Sequence, residues 1–493
     1  MKEKKKLKED DENQEQKKTE KFYHYEKGVP KIIHFELIKF LGKNGFANMN
    51  IGGSSRLVRI VENIVSDVTE GDLSCFIKNY LISIKAPDVL EVFVRGIGGY
   101  LNKKKYELLP KVEGISDKDP KDCAWLYFKN TAVKVTEANI ELVSYDKLPH
   151  KIWSNRIIGK DFNQVNFENG QFEDFCFKLS KEDSARLEAL RATLGYLLHR
   201  YNNPAVCKVV IFLDENATKD GQTNGGTGKS LLSKALSHCV ETVLMDGKNL
   251  KRESRFNNQR INNTTDIVCF DDVDRKFSLE TVYSMATSGF VIEKKGKNES
   301  TIKPEEAPKI LVSSNFHVSG PGGSSDIRRR HEFEVANYFS DKLTPKMVYQ
   351  NLFFDEWDEN EWNCFFNFMI NCIQLFLKFG LLEAKPLKIK TNKIIQQTSS
   401  EFYEFTKNGN LETGIWIEKK IILKKFKETY PFLQDVTSNT FTRWVKKYAK
   451  ENKLQYKDNK AGEKYEFKLS EIENNIEDER GDEKGDENSL QSN

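Results

Sequence analysis

Ten residues, GQTNGGTGKS at 221–230, constrain this chain more than any other stretch. Glycine loses more backbone freedom on folding than any other residue, so four of them in ten positions mark a turn rather than the inside of a helix or strand. The run before it, VVIFLDE at 209–215, is β-branched and apolar, and SLLSKALSHCV at 230–240 has the apolar spacing of a helix. A strand, a glycine-rich turn and a helix converge backbone N–H groups and the positive end of a helix dipole on one point, which binds phosphate. Gly225, Gly226 and Gly228 permit φ angles and close approaches that a Cβ would block. Lys229 can reach the β- and γ-phosphates and Ser230 can ligate Mg²⁺, so the candidate nucleotide-binding set is Asn224, Gly225, Gly226, Thr227, Gly228, Lys229 and Ser230. The pattern G-x-x-x-x-G-K-[ST] has glycine where this chain has Thr223, a departure the neighbouring glycines offset. The rival reading is a glycine-rich turn with a chance GKS.

Strand-like and helix-like segments alternate over 207–335, which predicts a parallel α/β sheet. Further strands are expected at TVLMDG (242–247), DIVCFDD (266–272) and PKILVSSN (308–315). The third of these four strands ends in Asp271 and Asp272, 42 residues after Lys229, about one β-α-β step. There Asp271 can hold Mg²⁺ while Asp272 orients or deprotonates an attacking water, with Asp274 a competitor for either role. Asn315 ends the fourth strand, where its amide can hydrogen-bond a γ-phosphate or the water; as a lone residue it is a turn former. Arg328, Arg329 and Arg330 follow the loop SGPGGSSD, and an arginine here can neutralise transition-state charge on a neighbouring subunit's nucleotide.

GKS, then DD, then SSN, then RRR fall within about 100 residues. In this order the chain resembles the superfamily 3 helicases of viruses, phages and plasmids, in the branch of the poxvirus NTPase-primase and the phage or plasmid primase-helicases. The resemblance covers about 120–335. It implies a P-loop, AAA+-like ATPase core acting as a homo-oligomer, a hexameric ring, with ATP and Mg²⁺ as cofactors and a DNA strand in its channel. Lys229 and Ser230 match motif A, Asp271 and Asp272 motif B, and Asn315 motif C. The stretch 290–309 looks like the B′ hairpin of that family, which makes Lys294, Lys295 and Lys297 candidate DNA-binding residues. An exposed Lys-rich turn is the plain alternative. The arginine finger matches loosely, Arg329 first and Arg328 next.

The remaining chain is read more coarsely. Residues 1–21 form a charged tail expected to be disordered. A mixed α/β region follows over 22–178, of which 22–115 matches nothing recognisable, and a helical module over 179–205 leads into the ATPase domain, 206–385. Its helix is expected to start at Ser180 and Asp183 and run about 18 residues to Arg200. A winged-helix-like DNA-binding domain is expected at 395–470, from three helix-like patterns and the hairpin-like LQYKDNKAGEKYEFKL. On its helix 438–450, Phe441, Trp444, Val445 and Tyr448 share an apolar face, leaving Arg443, Lys446, Lys447 and Lys450 on the other face for DNA or simply for solvent. An acidic tail, 471–493, closes the sequence.

Charge is segregated: the total is only +3, but the tail from 471 carries nine acids against two bases, and 437–468 carries nine bases against four acids. The eight cysteines form no C-x-x-C, which argues against a disulfide scaffold or zinc ribbon. The apolar run 364–382 is interrupted by Asn367, Asn371, Gln374 and Lys378, so no membrane partner is expected and the chain reads as soluble and cytosolic. No His-x-His pair and no strand ending in Asp-x-Asp precedes the ATPase region, which points to a replicative helicase without nuclease or primase activity, working beside a separate primase or replication initiator. Two alternatives stay open: a nucleotide-gated protein that binds duplex at an origin without translocating, and a primase-helicase with a diverged primase.

Overall fold

Apolar strands from five separate stretches of the chain assemble the central sheet of the molecule. A computed structural model describes residues 21–51, 54–115, 118–215, 226–248, 258–274, 277–292, 300–462 and 464–471. The two tails therefore lie outside the described residues but for Lys21 and Glu471. The described part is mixed α/β and divides into two compact units, one drawn from 1–212, 225–314 and 318–385, the other from 213–224, 315–317 and 386–493.

The first unit holds three larger sheets. The N-terminal one has five strands in the order Ile152–Trp153, Ile64–Asp67, Ser54–Val61, Phe46–Ile51, Lys111–Glu113. The helices His34–Lys43, Glu70–Ser83 and Pro87–Arg95 bury Leu41, Leu73, Ile77 and Phe93 in a core with Phe22 and Phe46. Within the apolar run 89–97, Val89 and Phe93 are buried one helical turn apart, and Pro87 sits at the start of that helix, where its missing N–H costs nothing. The second sheet orders Ile157–Ile158, Cys123–Phe128, Ala132–Thr136 and Ile140–Val143.

The third sheet has five strands in the order Thr242–Asp246, Ile267–Val273, Lys309–Ser314, Val209–Asp214, Arg330–Val335. Thr242–Asp246 runs parallel to Ile267–Val273, and that strand parallel to Lys309–Ser314. Both central strands, Lys309–Ser314 and Val209–Asp214, are buried at every position, as a parallel sheet covered on both faces requires.

Two helices cover this core where one was expected to begin. Gln171–Leu179 ends with Ser180 as its C-cap, and Lys181 and Glu182 then take positive φ (62° and 55°), which a continuing helix cannot accommodate. The second helix is Ser184–Leu198, fifteen residues, capped by Asp183 alone, whose Oδ1 accepts from Arg186 N–H at 2.9 Å. Ser180 is thus no part of its start. Gly195 lets this helix meet Glu359–Phe379 closely, since a Cβ there would lie 2.0 Å from the Cys372 carbonyl oxygen. The polar stripe of Glu359–Phe379 serves packing: Asn367 donates to the carbonyls of Asn163 (2.9 Å) and Asn363 (2.8 Å), and Gln374 to that of Thr136 (3.3 Å). Among the described residues no helix is long and apolar enough to cross a membrane.

The second unit places the helices Ile389–Gln397, Ser400–Phe405, Lys419–Thr429 and Ser438–Glu451 around Phe402, Phe426, Phe441 and Val445. Its antiparallel sheet orders Trp416–Glu418, Lys464–Glu471, Leu454–Ala461, one strand more than the sequence pattern implied. Three residues are too few to show a period, so Trp416–Glu418 is defined only by its partner strand.

Candidate functional site

Lys229 heads the helix Lys229–Ser237 directly after Gly226, Thr227 and Gly228. Gly226 and Gly228 have φ of 95° and 105°, and a Cβ on Gly228 would lie 2.8 Å from Cζ of Phe175. The third glycine of the loop is therefore required both by backbone conformation and by the aromatic ring packed against it. Lys229 is buried, with Nζ donating to Thr227 Oγ1 at 3.2 Å, and Ser230 is exposed on the first turn. Asn224 and Gly225 lie outside the described residues.

The helix is tied to the aspartate strand by Cys269 Sγ, which donates to Ser233 Oγ at 3.5 Å. That strand, Ile267–Val273, bulges at its carboxyl end. Phe270 pairs with Val312 and Val273 with Ser314, so Asp271 and Asp272 together oppose Ser313, and Asp272 has a φ of 51°. One hydroxyl holds both acids: Ser313 Oγ donates to Asp271 Oδ1 and accepts from Asp272 N–H at 2.9 Å. Asp246 stands in register with Asp271 on the neighbouring strand. The ammonium of Lys248 pairs with the Asp272 carboxylate, and the hydrogen bond and charge of Asp272 raise the Lys248 pKa. Asp246, Asp271 and Asp272 thus lie at the carboxyl edge of a parallel sheet, where open α/β sheets place their ligands, although among the described residues no three His, Cys, Asp or Glu side chains are grouped to hold a metal ion by themselves. Oxygen donors of this kind suit a hard divalent cation, and Ser230 adds a hydroxyl at the head of the lysine helix. Asp274 lies one residue past the strand and Asn315 one residue past Lys309–Ser314.

The three arginines separate. Arg328 and Arg329 end the helix Gly323–Arg329; Arg328 is exposed, while Arg329 bonds Ser325 Oγ and lies 5.9 Å from the Tyr283 ring. Arg330 turns inward, donating to Glu332 (2.6 Å), Asp326 (3.2 Å) and the Val318 carbonyl (3.0 Å). Burial opposes its charge, but Glu332 and Asp326 outweigh that and raise its pKa.

The stretch 290–309 contains the antiparallel pair Phe290–Ile292 and Ser300–Ile302. Lys294, Lys295 and Lys297 fall between these strands, outside the described residues. In the second unit Phe441 and Val445 are buried, Trp444 and Tyr448 pack partly against that core, and Arg443, Lys446, Lys447 and Lys450 are exposed. Lys446 leans on its own unit, 3.5 Å from Asp458 and 4.9 Å from the Tyr456 ring, and Lys447 donates to the Gln397 carbonyl at 3.3 Å.

Sequence reasoning passed over Ser313 and Lys248. Ser313 sits in the SSN run that marked Asn315, but only the bulge shows which of the two serines meets the aspartates. Lys248 carries no local pattern.

No family model matches this chain, and no curated protein matches it. Among solved structures it is similar to the apo A form of the C-terminal region of NrS-1, at 14% identity and a TM-score of 0.42, covering 88% of this chain and 98% of that one. A second apo structure of the same region matches at 12% identity and a TM-score of 0.38, with the same coverage. JCV helicase matches over 57% of this chain and 64% of its own, at 12% identity and a TM-score of 0.26.

Proposed function

We propose that this chain is an ATP-dependent DNA helicase for replication of a phage, plasmid or other mobile element, with 206–385 as a ring-forming ATPase domain and 395–470 as a DNA-binding winged-helix domain. The observation that carries this reading is the bulge at which Ser313 Oγ bonds both the Asp271 carboxylate and the Asp272 main-chain N–H, on a strand tied to the helix that Lys229 heads. A single catalytic carboxylate needs no such device. Two acids with separate duties do, because a regular strand would send adjacent side chains to opposite faces of the sheet.

In this reading the loop 224–228, Lys229 and the N-terminus of its helix cradle the phosphates of ATP. Ser230 and Asp271 would hold Mg²⁺, which neutralises charge on the β- and γ-phosphates. Asp272 orients the attacking water and takes up its proton. Lys248, paired with Asp272, sets the direction of that carboxylate. Asn315 hydrogen-bonds the γ-phosphate, and Arg329 or Arg328 reaches the nucleotide of the next subunit in a hexamer. Lys294, Lys295 and Lys297 follow a DNA strand through the ring, and the basic face of Ser438–Glu451 meets duplex.

The test is DNA-stimulated ATP hydrolysis and strand displacement. Lys229→Ala and Asp272→Asn should each lower both by on the order of a hundredfold or more. Strand displacement intact in Lys229→Ala sinks the proposal. Lys294→Ala with Lys295→Ala should stop unwinding while duplex binding survives, and unchanged unwinding would favour a nucleotide-gated origin binder.

A further inference from the structure

Residues that flank the candidate nucleotide site along the chain belong to the second unit, which takes in 213–224 and 315–317 beside 386–493. Glu215 lies one residue past the strand Val209–Asp214 and opens the stretch that leads to the phosphate loop. Asn315 and His317 lie just past Lys309–Ser314, its neighbour in the central sheet. One helix of the second unit, Ile389–Gln397, holds both places. Asn392 donates its amide to the Glu215 carbonyl at 2.9 Å, and Gln396 donates to the His317 carbonyl at 3.2 Å. Four residues apart, the two amides share one face of the helix. Lys388, a turn before Asn392, adds an ion pair with the Glu215 carboxylate at 3.6 Å. Asn392 and Glu215 are buried, so the bond between them forms away from water, where losing it is costly.

The same helix meets the candidate DNA-binding helix. It packs against Ser438–Glu451, with Ile394 buried. Gln397, its last residue, offers one of the carbonyls that a helix end leaves without an intrahelical partner, and Lys447 Nζ donates to it at 3.3 Å. A lysine there also complements the negative end of the helix dipole. Yet Lys447 belongs to the exposed face that carries Arg443, Lys446 and Lys450. Its bond to a neutral carbonyl is weaker than the one it would make to a phosphate, where both partners are charged. A phosphate on this face would therefore take Lys447 from the helix end.

We propose that Ile389–Gln397 couples the two candidate sites. DNA on Ser438–Glu451 competes for Lys447, releases the C-terminal end of Ile389–Gln397, and so shifts the main chain at Glu215 and His317, which border the phosphate loop and Asn315 in sequence. The inference rests on the helicase reading and names the regulation of its nucleotide site. Asn392 and Gln396 suit this duty because they grip carbonyls, and a carbonyl cannot move without the planar peptide unit it belongs to. A helix that only packs would hold its place whichever ligand is bound. A helix that couples makes each ligand's affinity depend on the other, by the same factor in both directions.

Duplex affinity of the full chain, read by fluorescence anisotropy with and without a non-hydrolysable ATP analogue, measures that factor. Analogue affinity with and without duplex must return the same value. In wild type a factor of about five or more is expected. Gln396→Ala, at a half-buried position, should bring the factor close to one while the affinity for each ligand alone stays within about twofold. Asn392→Ala, checked for folding by circular dichroism, should do the same. A factor unchanged in both variants overturns the proposal. So does a wild type that binds both ligands independently, in which case the nucleotide and DNA assignments stand. A wild type that binds neither the analogue nor the duplex would instead overturn the helicase reading, and the coupling with it.

Discussion

At the scale of single residues, Ser313 is the most exacting position in the candidate site. It is buried, and its one hydroxyl serves two acids. Ser313→Ala leaves the Asp272 N–H without its acceptor and Asp271 without its donor, so it should cost about 1–3 kcal/mol in stability. ATP hydrolysis should fall further than that loss explains, with partial recovery in Ser313→Thr; thermal unfolding and steady-state hydrolysis together check this. Among the arginines the structure makes opposite predictions for adjacent positions. Arg330→Ala removes a shared partner of Asp326 and Glu332 and should destabilise by roughly 3 kcal/mol. Arg329→Ala should leave the melting temperature within a few degrees while lowering hydrolysis, and equal loss of stability in both variants would contradict the distinction. Gly228→Ala combines a positive φ with a close approach to Phe175, and should cost about 1–3 kcal/mol and abolish nucleotide binding.

At the scale of elements, the helix Ser184–Leu198 and the strand Arg330–Val335 are joined through His331, whose Nε2 lies 2.8 Å from Thr193 Oγ1. Burial, with Lys208 adding repulsion, lowers the His331 pKa from 6.5 to about 4. The unfolded chain therefore takes up a proton between pH 6.5 and 4 that the folded chain refuses, and stability must fall as the pH drops through that window. His331→Gln keeps a hydrogen-bonding side chain but cannot titrate. It should flatten the pH dependence there by up to about 1.4 kcal/mol per pH unit, measured by urea unfolding at pH 6.5, 5.5 and 4.5. An unchanged slope would show that His331 protonates freely in the folded chain. The same scale explains the misplaced helix start. Ser180 and Asp183 both belong to the residue types that cap helices, and local chemistry cannot rank them. The positive φ values at Lys181 and Glu182 follow from docking two helices on one core.

At the scale of the whole molecule, the distribution of charge matters more than the net +3. Lys446 and Lys447 are held by Asp458 and the Gln397 carbonyl, whereas Arg443 and Lys450 stand exposed on the same helix. In the DNA-binding reading, Arg443→Ala with Lys450→Ala should lower the salt dependence of duplex affinity by about 0.9 for each phosphate no longer neutralised. The slope of log affinity against log salt measures this directly, and an unaltered slope would leave that face to solvent.

What the sequence determined by itself was everything that depends on neighbours a few residues apart. The turn at 226–228, the strands Ile267–Val273 and Lys309–Ser314, and the apolar face of Ser438–Glu451 are written in runs and periods that local backbone chemistry reads directly. Tertiary structure alone decided which polar residues meet. Asp119 reads as part of a polar loop, yet it is buried against Arg200, 81 residues away. Ser313 reaches Asp271 and Asp272 only because a bulge shifts the register of two strands some forty residues apart. Lys309 lies within a strand-like run but brings its charge under the sheet beside partners from other segments. The reason is desolvation: once the core excludes water, each buried charge must find its partner wherever the fold places one, and no local pattern records that choice.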